Sequence, residues 1–306
     1  MKFDAVVFPG QGAQKIGMAK DFVASFKQAA DVFEMANQVL PFDIYEVCHV
    51  NETLINQTKY TQAAILVAEI AMYESLKHEY GLRAHYFAGH SLGEYTALTA
   101  AGVLSFEVAL KLVVKRGELM HSATTDGAMT AVIMDEVPCQ DISTLIEPFG
   151  VDVANDNSVQ QLVLSGQKQA LDSAVSFLTQ HYQDVSFRVV PLAVSSAFHS
   201  RWMEPIEKLY HQFIQEFRSD IDVAQLPQVA SNYLGGFYRA DKDDLLSALA
   251  NQISGRVKWR SNMQLLQSMK VLEIGPNRPL RGFFKSIGND ITSVINVKSA
   301  AKAFAV

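Results

Sequence analysis

Tyr86-Phe87-Ala88-Gly89-His90-Ser91-Leu92-Gly93-Glu94-Tyr95-Thr96-Ala97-Leu98 is the stretch that decides the fold. His85–Ala88 reads as a short strand that meets Gly89, and a helical pattern begins just after Ser91. Gly89-His90-Ser91-Leu92-Gly93 satisfies G-x-S-x-G with a strand before it and a helix after it, the setting of a nucleophile elbow. A sharp strand-to-helix turn forces the serine backbone into a strained conformation, and flanking glycines remove the Cβ clashes. Ser91 Oγ then stands clear at a helix N-terminus, where backbone N–H groups stabilise an oxyanion. The pattern by itself leaves hydrolase, thioesterase and transferase open.

Working outward, the periodicity is α/β. A strand at Asp4–Phe8 ends in the loop Pro9–Gln14. Helices are expected from about Thr61 to Tyr80 and about Phe106 to Ser122, and a strand at Val271–Gly275. Between them the pattern changes style. MTAVIM, DISTLIEPF, VDVAN, QLVLSG, KQALDSAVSFLTQHY and SFRVVPLA follow one another as β-α-β-β-α-β, the ferredoxin-like succession. The expected organisation is a large α/β part made of residues 1–127 and 195–306, with a small ferredoxin-like insert at 128–194.

A serine hydroxyl needs a neighbouring base. Of the eight histidines, His199 is the candidate, because it lies just after a strand and just before a helix. A helix-capping histidine would suit the same place. His90 adjoins the nucleophile, but neighbours at a tight turn usually point apart. No acidic residue between Ser91 and His199 announces itself as the third member of a hydrolase-type triad. A backbone carbonyl is one group that would orient His199 instead.

Composition bounds the rest. The chain has 306 residues, 49% of them hydrophobic, enough for a large domain with an insert. The net charge of −6 argues against nucleic acid as the main partner. No stretch approaches the roughly 18 apolar residues of a membrane span. MKFD runs straight into AVVF without signal-peptide character, and the distant Cys48 and Cys139 suggest neither disulfide nor metal site. A soluble, cytoplasmic protein is expected. No metal-ligand spacing or dinucleotide fingerprint is visible, so no cofactor is expected.

Seven ordered motifs carry a family resemblance that covers essentially the whole chain: FPGQGAQ (Phe8–Gln14), GHSLGEY (Gly89–Tyr95), KRGELM (Lys115–Met120), ANDNS (Ala154–Ser158), AFHS (Ala197–Ser200), QISGRVKW (Gln252–Trp259) and LEIGP (Leu272–Pro276). The chain resembles the malonyl-CoA:acyl carrier protein transacylases, both the discrete fatty-acid enzyme and the trans-acting acyltransferases of polyketide synthases. The resemblance implies an α/β-hydrolase-like large subdomain with a ferredoxin-like small one. It implies transfer of malonyl from malonyl-CoA to the phosphopantetheine thiol of an acyl carrier protein. Ser91 is the implied nucleophile and His199 its base, with the backbone N–H groups of Gln11 and Leu92 as oxyanion hole. Gln252 is implied to offer its carbonyl to His199.

Arg116 is offset on a helix that otherwise looks apolar on its inner side. Its planar fork matches a malonyl carboxylate as a lysine does not. Related proofreading hydrolases resemble this family but lack the arginine, so its presence favours transfer over hydrolysis of the acyl thioester. Phe198 resembles the malonyl-preferring form of its loop, where a ring occupies the space of a 2-methyl group. His90 joins the substrate-binding set. Arg256, Lys258, Arg260, Arg278, Arg281 and Lys285 gather basic charge near the C-terminus, suited to an acidic carrier or the coenzyme A phosphates. A silent carrier-binding scaffold is the remaining reading, against which Ser91, His199 and Arg116 all weigh. GHSLGEY with the residues after it, and SNY at Ser231–Tyr233, look closer to the polyketide enzymes.

Overall fold

Two β-sheets of different character meet at one cleft. A computed structural model describes residues 3–123, 126–194 and 196–305. Four short strands make the larger sheet: β1 (Ala5–Phe8), β2 (Tyr86–Gly89), β9 (Val271–Ile274) and β10 (Thr292–Val294), in the order β10-β9-β1-β2 and all parallel. AVVF is buried at every position, as a parallel strand covered on both faces requires. Its residues alternate between two cores. Val6 and Phe8 join the cluster holding Leu66, Leu98 and Val113, whereas Ala5 and Val7 pack with Trp259, Leu280 and Phe284 on the opposite face.

The Thr58–Glu79 helix is buried at every position from Thr61 to Tyr73. A helix apolar on all sides belongs inside the fold. It lies between the sheet and the Phe106–Ser122 helix, whose Val113, Leu110 and Met120 complete the same core. Among the described residues no helix is long and apolar enough to cross a membrane.

The smaller sheet contains β3 (Gly127–Met134), β4 (Asp152–Ser158), β5 (Gln161–Gln167) and β6 (Phe187–Pro191) in the order β4-β5-β3-β6, all antiparallel. The helices Cys139–Ile146 and Lys168–His181 connect them, so the chain passes β-α-β-β-α-β. Alternation again splits the strands. Val132, Met134, Val153, Leu162 and Leu164 face these helices, while Ala131, Ala154 and Val163 face the large core. The expected helix over DISTLIEPF is helical over Cys139–Ile146 and tightens to a 3-10 turn at Glu147–Phe149, where Pro148 has no N–H to give.

β6 ends at Pro191, short of the expected Ala193, and lies at the sheet's edge with most side chains exposed. The SNY segment, Ser231–Tyr233, begins in β7 (Ala230–Ser231), a two-residue strand paired with β8 (Gly236–Phe237). Ser195, where the larger part was expected to resume, lies outside the described residues, as do residues 1, 2, 124, 125 and 306. β4 is bonded to the large part through its backbone: Val257 N–H donates to the Ala154 carbonyl at 2.8 Å, and Asp156 N–H donates to the Val257 carbonyl at 2.9 Å.

Candidate active site

Phe8 of β1 pairs with Gly89 of β2. The loops leaving these neighbouring parallel strands therefore emerge together at the carboxyl end of the sheet, the usual ligand crevice of an open α/β sheet. One loop carries Gln11 and the other carries Ser91 and Leu92. Ser91 has φ 51°, a left-handed conformation for a residue with a side chain. The flanking glycines are explained by contact. A Cβ on Gly89 would stand 1.9 Å from the Gly93 carbonyl carbon, and one on Gly93 would stand 2.2 Å from the Phe8 carbonyl oxygen. No larger residue fits this crossing.

Ser91 Oγ lies 2.8 Å from His199 Nε2. His199 is buried and also left-handed, with φ 56°. Its Nδ1 stands 2.6 Å from the Gln252 carbonyl oxygen. A carbonyl only accepts, so Nδ1 carries the proton and Nε2 presents its lone pair to the serine hydroxyl. Burial, then the Arg116 charge, push the His199 imidazole down to about 3. The ring is neutral at ordinary pH, the form a base needs. Asp156, an acidic residue in the interval between serine and histidine, pairs with Arg260 at 2.8 Å.

Arg116 is fully buried on the Phe106–Ser122 helix. Nη1 donates to Gln62 Oε1 at 2.8 Å; Nη2 donates to Gln252 Oε1 at 2.8 Å and to Ser91 Oγ at 3.1 Å. These partners are all neutral. The buried Nε–H has no hydrogen-bond partner among the described residues. A guanidinium held out of water opposite neutral groups is costly unless an anion completes the site.

A cavity of about 90 Å³ joins these groups; Gln11, His90, Ser91, Arg116, Phe198 and His199 all line it. Phe198 is buried there, beside Met120 and Met129. His90 does not turn away from the site. Its Nε2 bonds Asn157 Oδ1 at 2.8 Å, and its ring packs between Trp259 and Phe283. Leu92 is fully buried, and among the described residues neither its backbone N–H nor that of Gln11 donates to another protein group.

Sequence reasoning missed Gln62, Asn155, Glu94 and Asn232. Gln62 had a signal: a polar residue inside a helix buried on all sides needs a partner. Asn155 also lines the cavity, and its Oδ1 is buried without a partner among the described residues. Two basic residues of the C-terminal cluster are not free. Arg256 donates to the Val153 carbonyl at 3.2 Å and to Ser143 at 3.0 Å, and Arg260 holds Asp156, so both fasten the small sheet. Arg278 and Lys285 remain exposed, with Arg281 beside them.

The acyl transferase domain family matches residues 5–233. The chain is 35% identical over 291 residues to the polyketide biosynthesis malonyl CoA-acyl carrier protein transacylase BaeC of Bacillus velezensis, covering 93% of this chain and 96% of that one. It is 37% identical over 306 residues to the malonyl CoA-acyl carrier protein transacylase of Staphylococcus aureus, covering 95% and 94%. It spans 36% of the length of the longer polyketide biosynthesis protein PksE of Bacillus subtilis, with 36% identity. The crystal structure of the malonyl CoA-acyl carrier protein transacylase from Clostridium perfringens superposes with a TM-score of 0.89 at 32% identity, over 98% of this chain and 96% of that one. An elbow serine, a carbonyl-held histidine and a buried arginine thus sit on the fold of such proteins, and the chain belongs to the acyl transferase family, among the malonyl-CoA:acyl carrier protein transacylases.

Proposed function

We propose that this chain transfers malonyl from malonyl-CoA to the phosphopantetheine thiol of an acyl carrier protein, with Ser91, His199 and Arg116 doing the chemistry. The observation that carries the reading is Arg116: a buried guanidinium with only neutral partners, 3.1 Å from the nucleophile. It supplies an anion site beside the nucleophile.

Ser91 Oγ attacks the thioester carbonyl carbon while His199 Nε2 takes the hydroxyl proton. The Gln252 carbonyl holds the ring and favours the imidazolium that forms. The Gln11 and Leu92 N–H groups receive the oxyanion. The C–S bond then breaks, His199 returns the proton to the coenzyme A sulfur, and a malonyl-serine ester remains. The carrier thiol enters, and the same steps run in reverse. Arg116 has a second effect. Its charge disfavours protonated His199 in the empty site; a malonyl carboxylate neutralises that charge and makes the imidazolium accessible when substrate is bound.

Arg278 and Lys285, around the Pro279–Ser286 helix, with Arg281 paired to Asp290 at 2.9 Å between them, form a basic surface and receive the acidic carrier. Free Cys48 and Cys139 accord with a reducing cytoplasm. Relatives of similar identity include a polyketide biosynthesis transacylase and a transacylase whose name carries no pathway. The test is intact-mass analysis after mixing the protein with malonyl-CoA and phosphopantetheinylated carrier. A malonylated carrier and a malonyl adduct that Ser91→Ala abolishes are expected. Free malonate without carrier loading would replace transfer by hydrolysis.

A further inference from the structure

Glu94 lies in the first turn of the Gly93–Ala100 helix, 1% exposed, and the mechanism above does not use it. Oε2 accepts from Asn232 N–H at 3.2 Å, Asn232 Nδ2 at 2.5 Å and Gln252 Nε2 at 2.5 Å. Oε1 accepts from the Tyr238 hydroxyl. Each of these donors is neutral, so the carboxylate is held by directed hydrogen bonds alone.

Two of those donors lead to the active site. Asn232 accepts from the Ser91 N–H at 3.2 Å and donates to the Gly89 carbonyl at 2.7 Å, bracing the strained elbow. Gln252 is placed more tellingly. Its Nε2 donates to Glu94 and to the Ser91 carbonyl at 3.1 Å, while its Oε1 accepts from Arg116 at 2.8 Å. The amide therefore stands between a carboxylate and a guanidinium, N–H toward the negative group and C=O toward the positive one. Turned over, it would set oxygen against carboxylate and N–H against guanidinium.

We propose that Glu94 is a positioning residue: it fixes the sense of the Gln252 amide and so holds the Arg116 fork where a carboxylated acyl group is received. This rests on Arg116 taking the malonyl carboxylate. The discriminating readout is donor selectivity. Acetyl-CoA has no carboxylate, so a defect in the Arg116 fork lowers malonyl loading alone, whereas a general loss of elbow or helix stability lowers both.

Glu94→Gln keeps the shape and removes the charge. The ratio of kcat/KM for malonyl-CoA to that for acetyl-CoA is expected to fall about tenfold, the scale of one hydrogen bond to a charged group, mainly through KM for malonyl-CoA. Gln252→Leu keeps the backbone carbonyl on His199 and removes the amide; it should lower the ratio similarly. Adding Glu94→Gln to it should change the ratio no further. A folded Glu94→Gln protein with the wild-type ratio, equal losses for both donors, or additive effects in the double variant would overturn the proposal. Should Glu94→Gln fail to fold, a wild-type ratio in Gln252→Leu overturns it alone. Wild-type protein that loads no malonyl defeats the underlying reading instead.

Discussion

His199 Nδ1 and the Gln252 carbonyl oxygen stand 2.6 Å apart, where a serine hydrolase would set a carboxylate. A carbonyl orients the ring and fixes its tautomer without bringing a full negative charge to stabilise the imidazolium. The nearest strong charge is instead positive, on Arg116, and it acts against protonation. In the proposed mechanism the base is thus aligned but weak until substrate changes its surroundings.

That weakness has a pH signature. The His199 imidazole is lowered to about 3 by burial first and Arg116 second. Only the neutral ring accepts the serine proton, so activity is lost as pH falls through the lowered value. In the free enzyme Arg116 is uncompensated, so the acid limb of kcat/KM should lie well below an ordinary histidine's, about 6.5. Arg116→Ala removes the second-largest cause, and its acid limb should move up. Stopped acylation assays from about pH 2.5 to 8 check this; an unmoved limb would remove Arg116 as a cause.

Arg116→Ala should also cut malonyl loading roughly 100-fold, as expected for losing charge-assisted hydrogen bonds worth about 3 kcal/mol. Acetyl loading should fall little or rise. Rates of Ser91 adduct formation from the two donors measure it. Equal losses would show that the guanidinium is not the carboxylate clamp.

Gly93→Ala would press a methyl against the Phe8 carbonyl oxygen, 2.2 Å away. Backbone must shift, at a cost of at least about 1–3 kcal/mol. A lower Tm and loss of the malonyl adduct are expected together, because the shift moves the elbow itself.

Phe198 lines the cavity with Met129 and Ser91. Phe198→Val should admit a 2-methyl branch, raising kcat/KM for methylmalonyl-CoA relative to malonyl-CoA by about tenfold, within the about 1–3 kcal/mol that excluding one methyl confers. Competition between the two donors, read by adduct mass, gives the ratio.

Glu273 lies on β9, buried, accepting from Leu280 N–H at 2.9 Å and Ser293 Oγ at 2.8 Å. Burial pushes its carboxyl up to about 7. Its folded pKa exceeds the unfolded one, so the folded state binds more protons between about 4.5 and 7. Its contribution is present below that window and is lost as pH rises through it. Glu273→Gln should flatten the fall in Tm between pH 5 and 8 and raise Tm at the upper end. Differential scanning calorimetry on both proteins decides it.

The elbow was legible because G-x-S-x-G between strand and helix has few other physical uses, and the small sheet because its alternating apolar pattern is strong. His199 was found by its place at a strand end, and Arg116, offset on a helix with an apolar inner side, by the resemblance its KRGELM segment carries. Glu94 was invisible for the opposite reason. It lies within the same motif, yet nothing local distinguishes a buried carboxylate from a favourable acidic residue in a first helical turn. Its donors, Asn232, Tyr238 and Gln252, come from distant segments that only the fold assembles. Arg256 and Arg260 misled for a related reason: charge spacing along a chain does not say which side chains turn inward to clamp a neighbouring strand.

The segment that carries Gln252 also carries Val257, whose peptide is stitched on both sides into β4. Prising the small sheet away from the large one would therefore tug on the stretch that steadies the imidazole. Cleft width and base alignment are geared together: an acyl chain bulky enough to wedge the layers apart would loosen the grip on His199, and so react slowly even where it fits.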